Sequence, residues 1–245
     1  MAALTLTHVE TLAPASQELA GRLAARPWAG DFYLAGSAAL ALYAGERTVR
    51  DLDLMTGTNR LTGPERRDLL ADLKDLEPAT EVETARDGYL FARLGPQGFG
   101  LQGGSGLQGG AGAVGLRFFY YPYPLVDPAE ELRGLAVASA VDLGLMKIAA
   151  IISRGTKRDF VDLFLLCRAL PLASLLERAE EKFGHVRDFA LQAFKGLADL
   201  SLTSGEPMPR LARPLAWDEV EAWVRGEVAA LAGRHVGMSP AGAPP

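Results

Sequence analysis

The sequence predicts an α+β protein in which a mixed sheet with flanking helices is followed by a bundle of helices. Short strand patterns alternate with helix patterns in the first half, and the last strand pattern is the aromatic run VGLRFFYY at 114–121. From residue 139 onward, apolar residues recur only at helical spacing. We therefore expect an α/β unit at 1–128, a helical unit at 129–238 and a disordered tail at 239–245.

The individual elements follow from apolar periodicity, from proline and glycine at segment ends, and from turn dipeptides such as Asp87-Gly88. Helices are predicted at 14–26, 38–43 and 63–76, and strands at 32–34, 51–55, 79–84, 88–94 and 114–121. Further helices are predicted at 139–153, 158–170, 173–183, 187–200 and 216–232. Residues 95–115 are glycine-rich and contain GLQGG twice, which indicates a flexible insertion in a hairpin loop.

Composition and charge exclude several classes of protein. A net charge of -5 argues against binding nucleic acid through a generally basic surface, although Arg154, Lys157 and Arg158 form one local basic cluster. The single cysteine and three scattered histidines do not form a zinc motif. The N-terminal residues lack the pattern of a signal peptide, and no apolar run is long enough to span a bilayer. We expect a cytoplasmic protein that does not bind membranes.

Two carboxylates on one predicted strand form the first candidate site. Because side chains alternate along a strand, Asp51 and Asp53 point to the same side while Leu52 and Leu54 pack on the other. Two carboxylates at this spacing can bind one hard cation such as Mg²⁺, which neutralises charge on nucleotide phosphates. Taken alone, such a pair is more often the exposed face of a half-buried strand.

Gly36 and Ser37 make the metal interpretation stronger. They lie between a predicted strand and a predicted helix, where backbone N–H groups and a hydroxyl meet the positive end of the helix dipole. This arrangement is suited to phosphate. One short helix and one turn separate it from Asp51, so both features can bind the same ligand.

A second group of charged residues lies in the helical half. Lys147 shares an apolar stripe with Leu143 and Ile151, so its ammonium group needs a partner. The partner can be solvent at the surface, a carboxylate in a structural ion pair, or a ligand phosphate. Asp159 and Asp162 share one face of the next helix, whose charged first turn is also an ordinary helix start.

Two segments resemble the signatures of the AbiEii/AbiGii toxin family of bacterial abortive-infection and toxin–antitoxin systems. The first is YLAGSAALALYAGERTVRDLDLMT, and the second is VASAVDLGLMKIAAIISRGTKRDFVDLFLL. The first also resembles the core of DNA polymerase β-type nucleotidyltransferases more generally. With the intervening FFYYPYPL, the matching segments cover about a third of the chain. The resemblance implies a polymerase β-like nucleotidyltransferase core followed by a C-terminal helical bundle that completes the active site.

The resemblance also implies roles for particular residues and partners. The catalytic candidates are Asp51, Asp53, Lys147, Asp159 and Asp162, and the nucleotide-binding candidates are Gly36, Ser37, Lys147, Arg154 and Lys157. Asp51 and Asp53 are the expected ligands of Mg²⁺, and a nucleoside triphosphate (NTP) is the expected substrate. The implied acceptor is RNA, with the 3′ end of tRNA favoured, and the implied partner is an antitoxin encoded nearby.

The sequence departs from the superfold pattern at two places. Many members carry a third metal-binding carboxylate on a later strand, but the corresponding run LRFFYY has none. Either two carboxylates suffice, or Asp159 or Asp162 substitutes. Ser37-Ala38 also replaces the more usual Gly-Thr. The alternative functions are nucleotide transfer to a small molecule or a protein, and catalytically silent binding of a nucleotide or an antitoxin.

Overall fold

A computed structural model of the chain describes residues 5–95 and 112–237. Most of the predicted glycine-rich insertion and the whole predicted tail lie outside the described residues. The chain divides into two compact units between Ser139 and Ala140. Within the described ranges, no helix has the length and apolar character that a membrane span requires.

Among its described residues, the first unit contains three α-helices and seven strands. The helices are α1 (Pro14–Ala24), α2 (Gly36–Ala44) and α3 (Gly63–Leu76). The strands are β1 (Tyr33–Ala35), β2 (Leu52–Thr56), β3 (Glu81–Arg86), β4 (Tyr89–Leu94), β5 (Val114–Tyr120), β6 (Glu130–Leu132) and β7 (Leu135–Val137).

The seven strands form one mixed sheet with the order β3-β4-β5-β2-β1-β7-β6. β2 lies in the middle of this sheet, parallel to β5 and antiparallel to β1. The register sets Asp53 of β2 opposite Ala35 on one side and opposite Arg117 on the other. The centre of the sheet therefore brings Asp53 beside both the start of α2 and the middle of β5.

An aromatic cluster connects strand β5 to helix α3. The rings of Trp28, Phe32 and Phe118 meet edge to face, with centroids 5.2 to 5.8 Å apart. The Trp28 indole N–H donates to the Asp72 carboxylate at 2.6 Å, and Arg26 forms an ion pair with the same carboxylate. Trp28 is thus an anchor between the sheet and α3, as its position outside any motif suggests.

Most predicted elements of the first unit are confirmed, with small shifts at their ends. The glycine that follows the second predicted helix, Gly45, is its C-cap and has a left-handed backbone with φ +68°, which is typical of a glycine that ends a helix. Gly88 has φ +68° in the turn between β3 and β4, which confirms the predicted hairpin. β2 begins at Leu52, so Asp51 immediately precedes the strand.

One hairpin was not predicted. Strands β6 and β7 pair antiparallel around Arg133 and Gly134, both of which have positive φ. Each strand has only three residues, which is too short for a clear period-2 pattern. The change to purely helical structure therefore falls at Ala140, beyond the division near residue 128 that the sequence suggested.

The second unit is entirely helical among its described residues. Its helices are α4 (Ala140–Ser153), α5 (Lys157–Cys167), α6 (Leu172–Glu177), α7 (Ala179–Phe183), α8 (Phe189–Ala198) and α9 (Trp217–Gly237). The segment 173–183, predicted as one helix, forms two helices that meet at Arg178. α4 packs against α5, α6 and α8, and α9 packs against α5 and α8. The apolar faces of five helices thus surround a common core.

Candidate active site

Asp51 and Asp53 occupy the same side of the central strand. Leu52 and Leu54 are fully buried, whereas Asp53 is half-buried on the opposite face and Asp51 is half-buried just before the strand. The predicted alternation is therefore confirmed. The two carboxylates are available to a ligand while their neighbours hold β2 in the core.

Gly36 lies against the Asp53 carboxylate at the start of α2. It has a left-handed backbone with φ +62°, and a Cβ at this position would collide with the Asp53 carboxylate. Ser37 follows in the first turn and is half-buried. The N-cap residue is Ala35, whose methyl group offers no acceptor to the first N–H groups of the helix. The start of α2 therefore requires glycine, and its N-cap side chain does not cap the first amide groups.

Replacing Gly36 by alanine should displace the Asp53 carboxylate and destabilise the protein by about 1–2 kcal/mol, because the left-handed backbone is costly for alanine. Urea unfolding measures the stability. Gly30→Ala is a matched control, since a Cβ at Gly30 meets nothing within 4 Å. Unchanged stability in Gly36→Ala would contradict this account of the turn.

Arg117 of β5 bridges the two aspartates, and sequence analysis did not single it out. Its Nη2 donates to Asp51 Oδ2 at 2.9 Å, and its Nη1 lies 3.4 Å from Asp53 Oδ1. Burial by itself lowers the pKa of Arg117, but the charges of the two carboxylates outweigh burial and raise that pKa above its ordinary value. The signal was present in the sequence: Arg117 is the single charged residue in VGLRFFYY.

Gly115, also on β5, brings the backbone close to Asp51. Its N–H donates to Asp51 Oδ1 at 3.1 Å, and a Cβ at Gly115 would lie 2.6 Å from the same oxygen. Phe91 of β4 covers the other side of Arg117, whose guanidinium carbon is 4.5 Å from the ring centroid. Two groups of β5, the Gly115 N–H and the Arg117 guanidinium, therefore position the Asp51 carboxylate.

In the second unit, α4 and α5 bring Lys147 to two buried carboxylates. Lys147 Nζ lies 2.6 Å from Asp162 Oδ2 and 3.3 Å from Asp159 Oδ1. Both aspartate side chains have no exposed surface, and the lysine side chain is 11% exposed. Of the partners considered for Lys147, the structure shows the carboxylates.

Asp159 is also held by the segment that precedes α5. Arg154 donates to both of its carboxylate oxygens, at 2.7 and 2.8 Å, and the Thr156 hydroxyl donates to Oδ2 at 2.6 Å. Burial tends to raise the pKa of Asp159, but the Arg154 hydrogen bonds, the Lys147 charge and the Thr156 hydroxyl hold it well below its ordinary value. Thr156, the N-cap of α5, was not among the predicted site residues.

The lowered pKa predicts how Asp159 contributes to stability. A carboxyl with a depressed pKa stabilises the fold fully above its unfolded-state pKa, here 3.8, and this stabilisation is lost as pH falls from there through the lower folded-state pKa. The difference in unfolding free energy between wild type and Asp159→Asn should therefore be largest at neutral pH and should decrease steadily as pH is lowered below about 4. Urea unfolding at several pH values measures it, and a gap that stays constant contradicts the ion-pair account.

The remaining predicted residue, Lys157, lies outside this network. Its ammonium group donates to the Glu206 carbonyl at 2.7 Å and lies 5.0 Å from the centroid of the Trp217 ring. Lys157 and Trp217 line an open cavity of about 520 Å³. Asp142, the other charged residue of α4, pairs at 2.7 Å with Lys182, and both side chains are fully buried. The structure thus joins Lys147, Arg154, Asp159 and Asp162, but not Lys157.

Comparison with known proteins identifies the family of this chain. The family model described as nucleotidyl transferase AbiEii toxin, type IV TA system, matches residues 18–222. An uncharacterised protein of Aquifex aeolicus (strain VF5), aq_aa25, is 30% identical over 166 residues, which cover 66% of this chain and 70% of that protein.

The fold has a counterpart among solved structures. A crystal structure of an H. pylori protein assigned as a nucleotidyltransferase superposes with a TM-score of 0.52 at 16% identity. The match covers 93% of this chain and 98% of that chain, so the likeness extends over both units and concerns the fold. The family match spans both groups of charged residues described above. The chain therefore belongs to the AbiEii nucleotidyltransferase toxin family of type IV toxin–antitoxin systems.

Proposed function

We propose that this nucleotidyltransferase transfers a nucleotide from an NTP to RNA in the cytoplasm, with the 3′ end of tRNA as the favoured acceptor. Its cellular effect is growth arrest, and a cognate antitoxin opposes it. The observation that carries the proposal is the pair Asp51 and Asp53, bridged by one cationic group directly beside the glycine that begins α2. Family membership supports the toxin role and the antitoxin partner.

Asp51 and Asp53 fit a single Mg²⁺ ion. The Arg117 guanidinium contacts both carboxylates, through Nη2 at 2.9 Å from Asp51 and Nη1 at 3.4 Å from Asp53, so one cationic group already lies against both. Among the described residues, no group of three or more His, Cys, Asp or Glu side chains is arranged for a metal. Mg²⁺ in phosphoryl-transfer sites commonly takes one or two carboxylates, and substrate phosphates and water complete its coordination. When bound, it neutralises charge that develops on the phosphates.

The start of α2 provides the phosphate site in this proposal. Gly36 and Ser37 are part-exposed, and they present backbone N–H groups at the positive end of the helix. Lys147 and Arg154 of the second unit are proposed as cations for the triphosphate, with Asp159 and Asp162 as the residues that position Lys147. Arg154 keeps 59% of its side-chain surface exposed, so it can bind an anion while paired with Asp159.

The reaction is a substitution at the α-phosphorus. The acceptor hydroxyl attacks this phosphorus, the bond to the β-phosphate oxygen breaks, and pyrophosphate leaves with the bonding electrons. The hydroxyl proton passes to the Asp53 carboxylate. The chain contributes mainly orientation and charge stabilisation, as is usual for phosphoryl transfer.

Inducible expression in bacteria tests the acceptor and the toxin role together. Wild-type protein should arrest growth, and sequencing of tRNA 3′ ends from the arrested cells should show added nucleotides. Asp51→Asn should permit growth and leave tRNA ends unmodified. Arrest by wild type with unmodified tRNA would overturn tRNA as the acceptor and favour a different RNA, a protein or a small molecule. Arrest of equal strength by Asp51→Asn would exclude this site as the cause of toxicity.

A further inference from the structure

We propose that Arg117 is a built-in competitor of the metal ion: its guanidinium neutralises Asp51 and Asp53 in the free protein and must leave them before a divalent cation can bind both. This inference rests on the proposed function, because it assumes that the two aspartates bind the metal. It adds a role for a residue of β5 that is neither a metal ligand nor part of the phosphate site.

The two carboxylates already have a cationic partner. Asp51 Oδ2 accepts from Arg117 at 2.9 Å, and Asp53 Oδ1 lies 3.4 Å from the other terminal nitrogen of the same guanidinium. Asp51 Oδ1 accepts from the Gly115 N–H. Arg117 thus contacts one oxygen of each aspartate, and a metal ion that used the same oxygens would have to displace it.

Charge makes simultaneous occupancy unfavourable. Two carboxylates and one guanidinium carry a net charge of about −1, whereas the carboxylates alone carry about −2 and attract a divalent cation more strongly. The Arg117 side chain is 29% exposed, so water screens these interactions only in part. Arg117 should therefore keep the affinity of the free protein for metal low.

Arg117 also has a contact that does not involve the aspartates. Phe91 stacks on it at 4.5 Å, which is a second favourable contact that does not depend on the aspartates. An incoming triphosphate supplies anionic oxygens, which guanidinium groups bind well. Metal and nucleotide should therefore bind cooperatively: the nucleotide offers Arg117 a new partner and the metal takes the carboxylates.

Titration with Mn²⁺, followed by its electron paramagnetic resonance signal, tests the inference without any turnover. Mn²⁺ favours the same oxygen ligands as Mg²⁺. Without nucleotide, Arg117→Met should bind Mn²⁺ about 10- to 100-fold more tightly than wild type, because one nearby positive charge is removed. With a non-hydrolysable triphosphate present, the difference in Mn²⁺ affinity between wild type and Arg117→Met should become smaller, because the triphosphate offers Arg117 another partner.

Arg93→Met is the matched control. Arg93 lies 5.2 Å from the centroid of the same Phe91 ring, but its guanidinium donates to Glu83 rather than to the aspartates. It should bind Mn²⁺ as wild type does. If Arg93→Met gains as much affinity as Arg117→Met, the effect is one of overall charge and the inference is overturned. Should Arg117→Met fail to fold by circular dichroism, Arg117→Lys replaces it, with an expected affinity between those of wild type and Arg117→Met.

Two failures can be told apart. If Mn²⁺ binds wild type and Arg117→Met equally, while Asp53→Asn abolishes binding, Arg117 does not compete and the proposed metal site stands. If no variant binds Mn²⁺ saturably, even with triphosphate present, the proposed metal site is wrong and the inference falls with it.

Discussion

Replacing Asp53 by asparagine is expected to lower the rate of nucleotide transfer by about 10²–10⁴-fold, since loss of metal-assisted charge stabilisation costs several kcal/mol of barrier. Asparagine keeps the shape of the side chain and its oxygen can still accept from Arg117, so the fold should be retained. The measurement is the initial rate of label transfer from each NTP, together with a urea unfolding curve.

The control for this prediction is Asp68→Asn. Asp68 is exposed on α3 and is not among the residues proposed for catalysis or nucleotide binding. Its transfer rate should equal that of wild type. A folded Asp53→Asn protein with the wild-type rate would show that Asp53 has no catalytic role.

The second large effect is expected for Lys147→Met. Two fully buried carboxylates, Asp159 and Asp162, lose the ammonium group that lies between them. Leaving buried charge without its counter-ion typically costs about 3–5 kcal/mol of unfolding free energy. Urea unfolding measures this loss, and Lys195→Met on the exposed side of α8 should be nearly neutral.

The same variant distinguishes the two roles considered for Lys147. A phosphate-binding lysine predicts, in addition to lower stability, about 10- to 100-fold weaker NTP binding when the fold is intact. NTP affinity is therefore measured well below the unfolding temperature of the variant. Weakened stability with unchanged NTP affinity would assign Lys147 to a structural ion pair only.

Local sequence rules predicted the first unit well because its elements carry short-range signals. The strand–Gly36–helix turn, the C-cap at Gly45 and the Asp87-Gly88 turn each need a backbone conformation that few residues adopt. The alternation around Asp53 follows from one buried face of β2. Strands β6 and β7 were missed because three residues do not establish a period.

The hydrogen-bond and ion-pair partners of the candidate residues depend on strand register and helix packing, which local sequence patterns do not determine. Arg117 reaches Asp51 and Asp53 only because β5 pairs in parallel with β2 at that register. Asp142, which lies on the same helix as Lys147, pairs with Lys182, forty residues away.

The most direct test of the central claim is incubation of purified protein with Mg²⁺, each α-labelled NTP in turn, and total tRNA, comparing wild type with Asp51→Asn. The account predicts that label enters RNA with wild type, that omission of Mg²⁺ prevents it, and that Asp51→Asn loses it while still folded. Equal labelling by wild type and Asp51→Asn, or labelling that needs no divalent metal, would contradict the proposed site.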